Sequence, residues 1–146
     1  MKIKKLLLLP LLFMLFSCSK DDDIDLIVND LILGEWKMVS YKGTTYNKTG
    51  AIHNRFTPGF SISYNFDRQN YTMYAGSSIE KGPYQIIKRN GKDYITFTDK
   101  EVEGKSEIAS ISANKLFITI EFPGDGHPQA GSEYRTVIVQ EFERPR

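Results

Sequence analysis

A chain of 146 residues has room for one domain. Its 19 basic and 18 acidic side chains nearly cancel, and this balance gives no electrostatic case for binding nucleic acid or an anionic membrane face. The single cysteine, Cys18, excludes a disulfide scaffold, so the fold must be held together by its own core.

The N-terminal stretch has the layout of a secretory signal. Three lysines precede an apolar run over residues 6–16, which is shorter than the ~20 residues that span a bilayer. The run ends in Leu15-Phe16-Ser17-Cys18, which resembles a bacterial lipobox, although Phe16 stands where the motif usually has a small residue. The resemblance implies a signal peptide over residues 1–17 and an acylated Cys18, with palmitate on its sulfur. A plain signal peptide with an incidental cysteine is the alternative.

Residues 18–25 form an acidic tether that is too polar to pack into a core. Removing residues 1–17 takes away three lysines and no acid, which changes the net charge from +1 to −2. The tether resembles the surface-export tag of some Gram-negative lipoproteins. That resemblance implies an outer-membrane protein anchored by lipid, with its domain exposed on the cell surface; an ordinary acidic spacer is the alternative.

A short helix is predicted before the first strand. Ile27 and Leu31 lie at helical spacing within residues 25–33, Asp25 can cap the start, and Gly34 suits the end. The segment is apolar enough to plug one end of a barrel.

The rest of the chain has a β pattern. In the first strand, Trp36 and Met38 alternate with Val39 and Tyr41 on the opposite face. The predicted strands are 35–43, 60–66, 71–75, 84–88, 94–98, 105–112, 116–122 and 134–143. Eight strands with no helix between them predict an all-β fold, an eight-stranded antiparallel up-and-down barrel with a short N-terminal helix, formed by residues 26–146.

The connections divide the barrel into two ends. Residues 67–70, 89–92 and 112–115 are tight turns, and Asn90-Gly91 is a strong hairpin signal. The other connections are longer: 44–57, 76–82, 99–104 and 123–133. In an up-and-down order, all tight turns fall at one end and all long loops at the other. The pattern therefore predicts an end closed by the helix and an open end rimmed by four loops.

The motif Gly34-Glu35-Trp36 after a short helix, together with eight strands and a long first loop, resembles a lipocalin. It resembles more closely the lipocalin-like domains of small bacterial lipoproteins that begin Leu-x-Gly-x-Trp. The resemblance implies that Trp36 packs across the closed end beneath a basic residue just past the last strand. Arg144 occupies that place. Gly34, Trp36 and Arg144 are therefore expected to close the barrel as structural residues.

Candidate ligand or rim residues come from the open half. The aromatic side chains expected there are Tyr46, Phe56, Phe60, Tyr74, Tyr84 and Tyr134, and two histidines, His53 and His127, lie in the long loops. Two histidines without a further cysteine fall short of a zinc site, so no metal or other cofactor is expected. No nucleophile motif or phosphate-binding loop is present, and the chain is not expected to be an enzyme.

Two functions remain open. An eight-stranded barrel can hold one small ligand, so the domain is expected to bind a small apolar or amphipathic molecule in its open half. Alternatively, the barrel is packed solid and its rim loops bind a protein, as an inhibitor or an envelope assembly factor would. The loop over residues 44–57 would then be the contact surface.

Overall fold

The structure is a computed structural model that describes residues 28–57, 59–97, 105–124 and 134–146. The predicted signal peptide, the tether with Cys18, and residues Asp25 and Ile27 lie outside these ranges. In the part of the chain that is described, no helix is long and apolar enough to span a membrane.

One helical turn, α1 (residues 28–32), is followed by antiparallel strands that close on themselves. Each strand pairs with its neighbour in sequence from β3 to β9, while β1 pairs with β2, β3 and β9. The pairing of β9 with β1 closes the sheet and confirms the predicted eight-stranded all-β barrel. The strands are β1 (Gly34–Tyr46), β2 (Ile52–Phe56), β3 (Ile62–Phe66), β4 (Asn70–Ala75), β5 (Ser78–Arg89), β6 (Lys92–Phe97), β7 (Lys105–Ile111), β8 (Lys115–Pro123) and β9 (Arg135–Glu143).

The ninth strand arises because one barrel strand is interrupted. β2 and β3 both pair with the same edge of β1, through Gly43↔Phe56 and Lys37↔Ser63. From the first pair to the second, β1 covers six residues, and the segment from β2 to β3 that pairs with it covers seven. β2 and β3 are therefore two halves of one strand with one extra residue between them. Over residues 38–42, this edge of β1 pairs with no described strand.

Two of the predicted long loops are wrong. Most of the predicted loop over residues 44–57 is strand, because β1 continues to Tyr46 and β2 begins at Ile52. The turn between them is stabilised by Asn47, whose side-chain oxygen accepts hydrogen bonds from the backbone N–H groups of Thr49 (3.1 Å) and Ala51 (2.9 Å).

The predicted loop over residues 76–82 is a two-residue turn at Gly76 and Ser77, after which β5 begins. Gly76 has a φ of 60°, a left-handed conformation that reverses the chain within a short turn. The glycine and proline of Lys81-Gly82-Pro83 are typical of a loop, yet Pro83 pairs with Asn70 in the ladder between β4 and β5.

A bulge changes which side chains of β1 face the interior. The register against β9 shifts between Met38 and Ser40, which makes Val39 the extra residue. The sequence predicted Tyr41 on the face opposite Trp36, but after the bulge Tyr41 packs against the same core. Val39 is 52% exposed on the outer face. The simple alternation in β1 was therefore wrong beyond Met38.

The core is densest at the closed end, where α1 plugs the barrel. Val28 and Ile32, four residues apart, form the buried face of α1, whereas Leu31 is only half-buried. Trp36 and Phe142 are fully buried beside this turn of helix. At the same end, Asn90 and Gly91 both have positive φ, as expected for a tight hairpin turn.

Candidate functional site

Trp36 and Arg144 lie against each other at the closed end. The indole Nε1 of Trp36 donates a hydrogen bond to the backbone oxygen of Ile32 (2.7 Å), and Arg144 Cζ lies 4.2 Å from the centroid of the Trp36 ring. The guanidinium of Arg144 also donates to the backbone oxygens of Leu31 (2.8 Å) and Ala113 (2.7 Å). One arginine thus joins α1, β1 and the turn between β7 and β8.

Gly34 is required beside this arginine for two reasons. Its φ is +98°, which side chains rarely adopt, and a Cβ at this position would stand 2.8 Å from Arg144 Nη1. Gly34, Trp36 and Arg144 therefore act together in the packing of the closed end, away from the rim.

The interior becomes more exposed toward the open end. Along β3, the exposed fraction rises from Phe66 (2%) through Tyr64 (8%) to the half-buried Ile62. β4, β6 and β8 show the same trend, from buried residues near the closed end to half-buried ones above them. The half-buried apolar residues on these strands are Ile62, Met73, Phe97 and Ile120. These side chains keep part of their surface accessible, so this side of the barrel is packed less tightly in its open half than in its closed half.

The carboxylate of Glu80 lies in the interior beside the half-buried Met73, its pairing partner on β4. The hydroxyl of Tyr71, which is 3% exposed, donates a hydrogen bond to Glu80 Oε1. Burial, and then the charge of Glu80, raise the pKa of the neighbouring Tyr64 to about 12. Tyr64 therefore keeps its proton at neutral pH. Glu80 was not among the predicted site residues, because it falls in the predicted loop over residues 76–82.

On the side of the interior formed by β1 and β9, the side chains are buried even near the open end. Thr45 and Thr136 are buried with their hydroxyl oxygens 3.2 Å apart, and Thr136 also donates to the backbone oxygen of Gly124 (2.7 Å). Next to them, the ring of Phe56 covers Gly43. Phe56 is thus an interior packing residue on this side of the barrel rather than an exposed rim residue.

Three of the predicted rim residues come together. The rings of His53 and Tyr134 are 4.8 Å apart, and Tyr46 lies beneath Arg135, whose Cζ is 5.0 Å from the ring centroid. Arg135 also forms an ion pair with Glu121 at 3.3 Å. Arg135 was not among the predicted rim residues, although it follows Tyr134 at the start of the last predicted strand.

The other predicted rim residues lie elsewhere. Tyr84 lies beside the turn over residues 67–69 at the closed end, where its hydroxyl donates to the backbone oxygen of Asp67 (2.8 Å) and its ring contacts Phe66. Tyr84 was predicted to begin its strand at the open end, whereas β5 begins six residues earlier, at Ser78. Tyr74 faces outward and is 42% exposed, and His127 lies outside the described residues.

A hollow of about 290 Å³ opens in the side of the barrel where β2 and β3 are interrupted. It is lined by residues 38–42 of β1 and by Thr57, Phe60 and Ser61 of the interrupted strand. The rings of Phe60 and Tyr41 meet at 5.5 Å across it. The sequence carried one signal for this feature: Pro58-Gly59, since proline has no N–H with which to continue a ladder.

No group of three or more His, Cys, Asp or Glu side chains capable of holding a metal ion occurs in residues 28–57, 59–97, 105–124 and 134–146. Comparison of the chain with protein-family models, with curated proteins and with solved structures finds no match.

Proposed function

We propose that this protein is a lipid-anchored, lipocalin-like lipoprotein of the outer membrane that binds a small amphipathic molecule in the open half of its barrel. The observation that carries the proposal is the rise in exposure of inward-facing side chains from the closed end to the open end of β3, β4, β6 and β8. A barrel packed only for stability has no need of such a gradient.

The interior residues suggest how such a ligand would be held. Ile62, Met73 and Ile120 offer apolar surface for the body of the ligand. Tyr71 and Glu80 form a polar pair beside that surface, and a few fixed polar groups in an apolar site are what orient small ligands. The proposed ligand is therefore apolar over most of its length and carries a polar group that can donate a hydrogen bond.

Native mass spectrometry of the full chain, purified from its own host and released from detergent micelles, tests this proposal. We expect the wild type to carry a bound molecule of defined mass. Met73→Trp fills the interior next to Glu80 and should abolish this adduct. Ile79→Trp is the matched control, because Ile79 is next to Glu80 in sequence but faces outward and is 64% exposed.

A wild-type chain without an adduct, or an adduct that Met73→Trp retains, would reject ligand binding in the barrel. Far-UV circular dichroism and a thermal melt of both variants distinguish loss of binding from loss of folding.

A second candidate function is protein binding at the rim, as an inhibitor or an envelope assembly factor. The grouping of Tyr46, His53 and Tyr134 with Arg135 favours it, because aromatic side chains and arginine are enriched in protein interfaces. Under this alternative the chain carries no adduct, and Tyr46→Ala or His53→Ala weakens binding of the partner while Met73→Trp leaves it unchanged.

A further inference from the structure

Charge is distributed unevenly around the barrel. The only acidic residues in β1 to β5 are Glu35 and Glu80, and Glu80 is turned inward onto Tyr71. The outer faces of the same strands carry exposed cations, and four of them are Lys37, Lys42, Arg55 and Lys81. Among the described residues, none of these four forms an ion pair.

On the other side of the barrel, cations have partners. Lys92 pairs with Glu107 at 2.8 Å, and Lys115 pairs with Glu141 at 2.9 Å. These lysines are exposed as well, and they differ from the four cations above in having a carboxylate within ion-pair distance. We call the side formed by β1 to β5, with Lys37, Lys42, Arg55 and Lys81, the basic wall.

Exposed apolar side chains lie on the same wall. Val39 is 52% exposed and Phe60 54%, and the pair Tyr74 and Ile79 on β4 and β5 is 42% and 64% exposed. Large exposed apolar groups that lie on one surface are typical of an interaction site.

The hollow of about 290 Å³ lies within the basic wall, beside Val39 and Lys42. Its volume is just below the ~300 Å³ at which sites for small molecules begin, and suits a single inserted side chain. The edge of β1 over residues 38–42 provides backbone groups that an extended chain can bind. A lipid surface would use neither a concave hollow nor a strand edge.

We propose that the basic wall binds an extended acidic segment of a partner protein, which inserts one apolar side chain into the hollow between β1 and Phe60. The carboxylates of the segment would face Lys37, Lys42 and Arg55. This interaction is separate from ligand binding inside the barrel and does not depend on it.

A fluorescein-labelled peptide of alternating aspartate and serine with one central phenylalanine serves as the probe. Its affinity for the full chain in mild detergent is measured by fluorescence anisotropy. The double variant Lys37→Gln, Lys42→Gln should weaken binding about five- to tenfold, because two exposed ion pairs would be lost. The matched control, Lys92→Gln with Lys115→Gln, removes two cations from the other side and should leave the affinity unchanged.

The hollow is tested separately from the charge. Phe60→Ala in the protein, or phenylalanine to alanine in the peptide, should each weaken binding, whereas Ile87→Ala on β5 should not. A peptide with asparagine in place of aspartate should bind poorly. Equal binding of the two peptides, or equal loss in both lysine double variants, would overturn the proposal.

A membrane is the competing partner. The full chain is reconstituted in vesicles of phosphatidylcholine, with or without phosphatidylglycerol, and its lysines are acetylated and counted by mass spectrometry. Protection of Lys37 and Lys42 by the acidic peptide in neutral vesicles supports the proposal. Protection by phosphatidylglycerol alone, with none by the peptide, would assign the basic wall to the membrane and reject it.

Discussion

Phe56 covers Gly43 so closely that no side chain fits between them. A Cβ at position 43 would stand 2.2 Å from Phe56 Cζ. The two residues are direct partners across β1 and β2, and an aromatic ring over a glycine is a known way to stabilise a bent strand. This contact seals the side of the barrel on which β1 continues past its bulge.

Gly43→Ala should therefore destabilise the protein by about 1–3 kcal/mol, the usual range for overpacking a core. Urea unfolding followed by circular dichroism measures the change. Gly59→Ala is the control, because a Cβ there meets nothing within 4 Å. Equal effects of the two substitutions would contradict the close contact between Gly43 and Phe56.

Trp36→Ala should cost about 3–5 kcal/mol of unfolding free energy, since it empties a fully buried site at the closed end. Arg144→Ala should cost less, and the double variant should show a coupling energy of about 0.5–2 kcal/mol from the contact between cation and ring. A thermal melt and urea unfolding both report these losses. A fall in melting temperature of only about one or two degrees for Trp36→Ala would argue against its role in the core.

Stability should fall at high pH because the folded state holds the proton of Tyr64. Its pKa is raised from 10.0 to about 12 in the folded protein, so this stability is complete below pH 10 and is lost as the pH rises toward 12. Unfolding free energies measured between pH 9 and 12 should show the loss. Tyr64→Phe should make the slope shallower, whereas Tyr74→Phe on the outer face should not change it.

Glu80→Gln should lower the pKa of Tyr64 by removing the smaller of its two causes, the charge of the carboxylate. Absorbance at 295 nm during a pH titration follows ionisation of the tyrosines. An unchanged titration of Tyr64 would mean that burial alone raises its pKa, and would contradict an effect of the Glu80 charge.

Cys18→Ser should release the protein from membranes if the lipobox is used. Fractionation of host cells, with Ser19→Ala as the control, measures the attachment. Membrane attachment that persists in Cys18→Ser would reject the proposed lipid anchor.

The barrel could be predicted from the sequence, because the signals for it are local. Alternation of apolar and polar residues in Leu116–Phe122, and the hairpin signal at Asn90-Gly91, depend only on neighbours in the chain. The family resemblance led to Trp36 and Arg144, which lie in contact at the closed end.

The details of the interior could not be predicted, because they depend on how the strands pair. The bulge at Val39 is visible only in the pairing of β1 with β9, and it turns Tyr41 into the core. Likewise, Tyr84 belongs to the closed end because β5 begins at Ser78, which the glycine and proline of that stretch concealed.

The basic wall was equally hidden, because net charge is a sum over the whole chain. The near balance of charge gave no case for nucleic acid or an anionic membrane face. Yet the fold separates cations that form no ion pair with any described residue, such as Lys42, from those paired across strands, such as Lys115. Which charges meet depends on strand pairing between residues far apart in sequence. The composition therefore limited the class of protein, and the closure of the barrel decided which surfaces can bind.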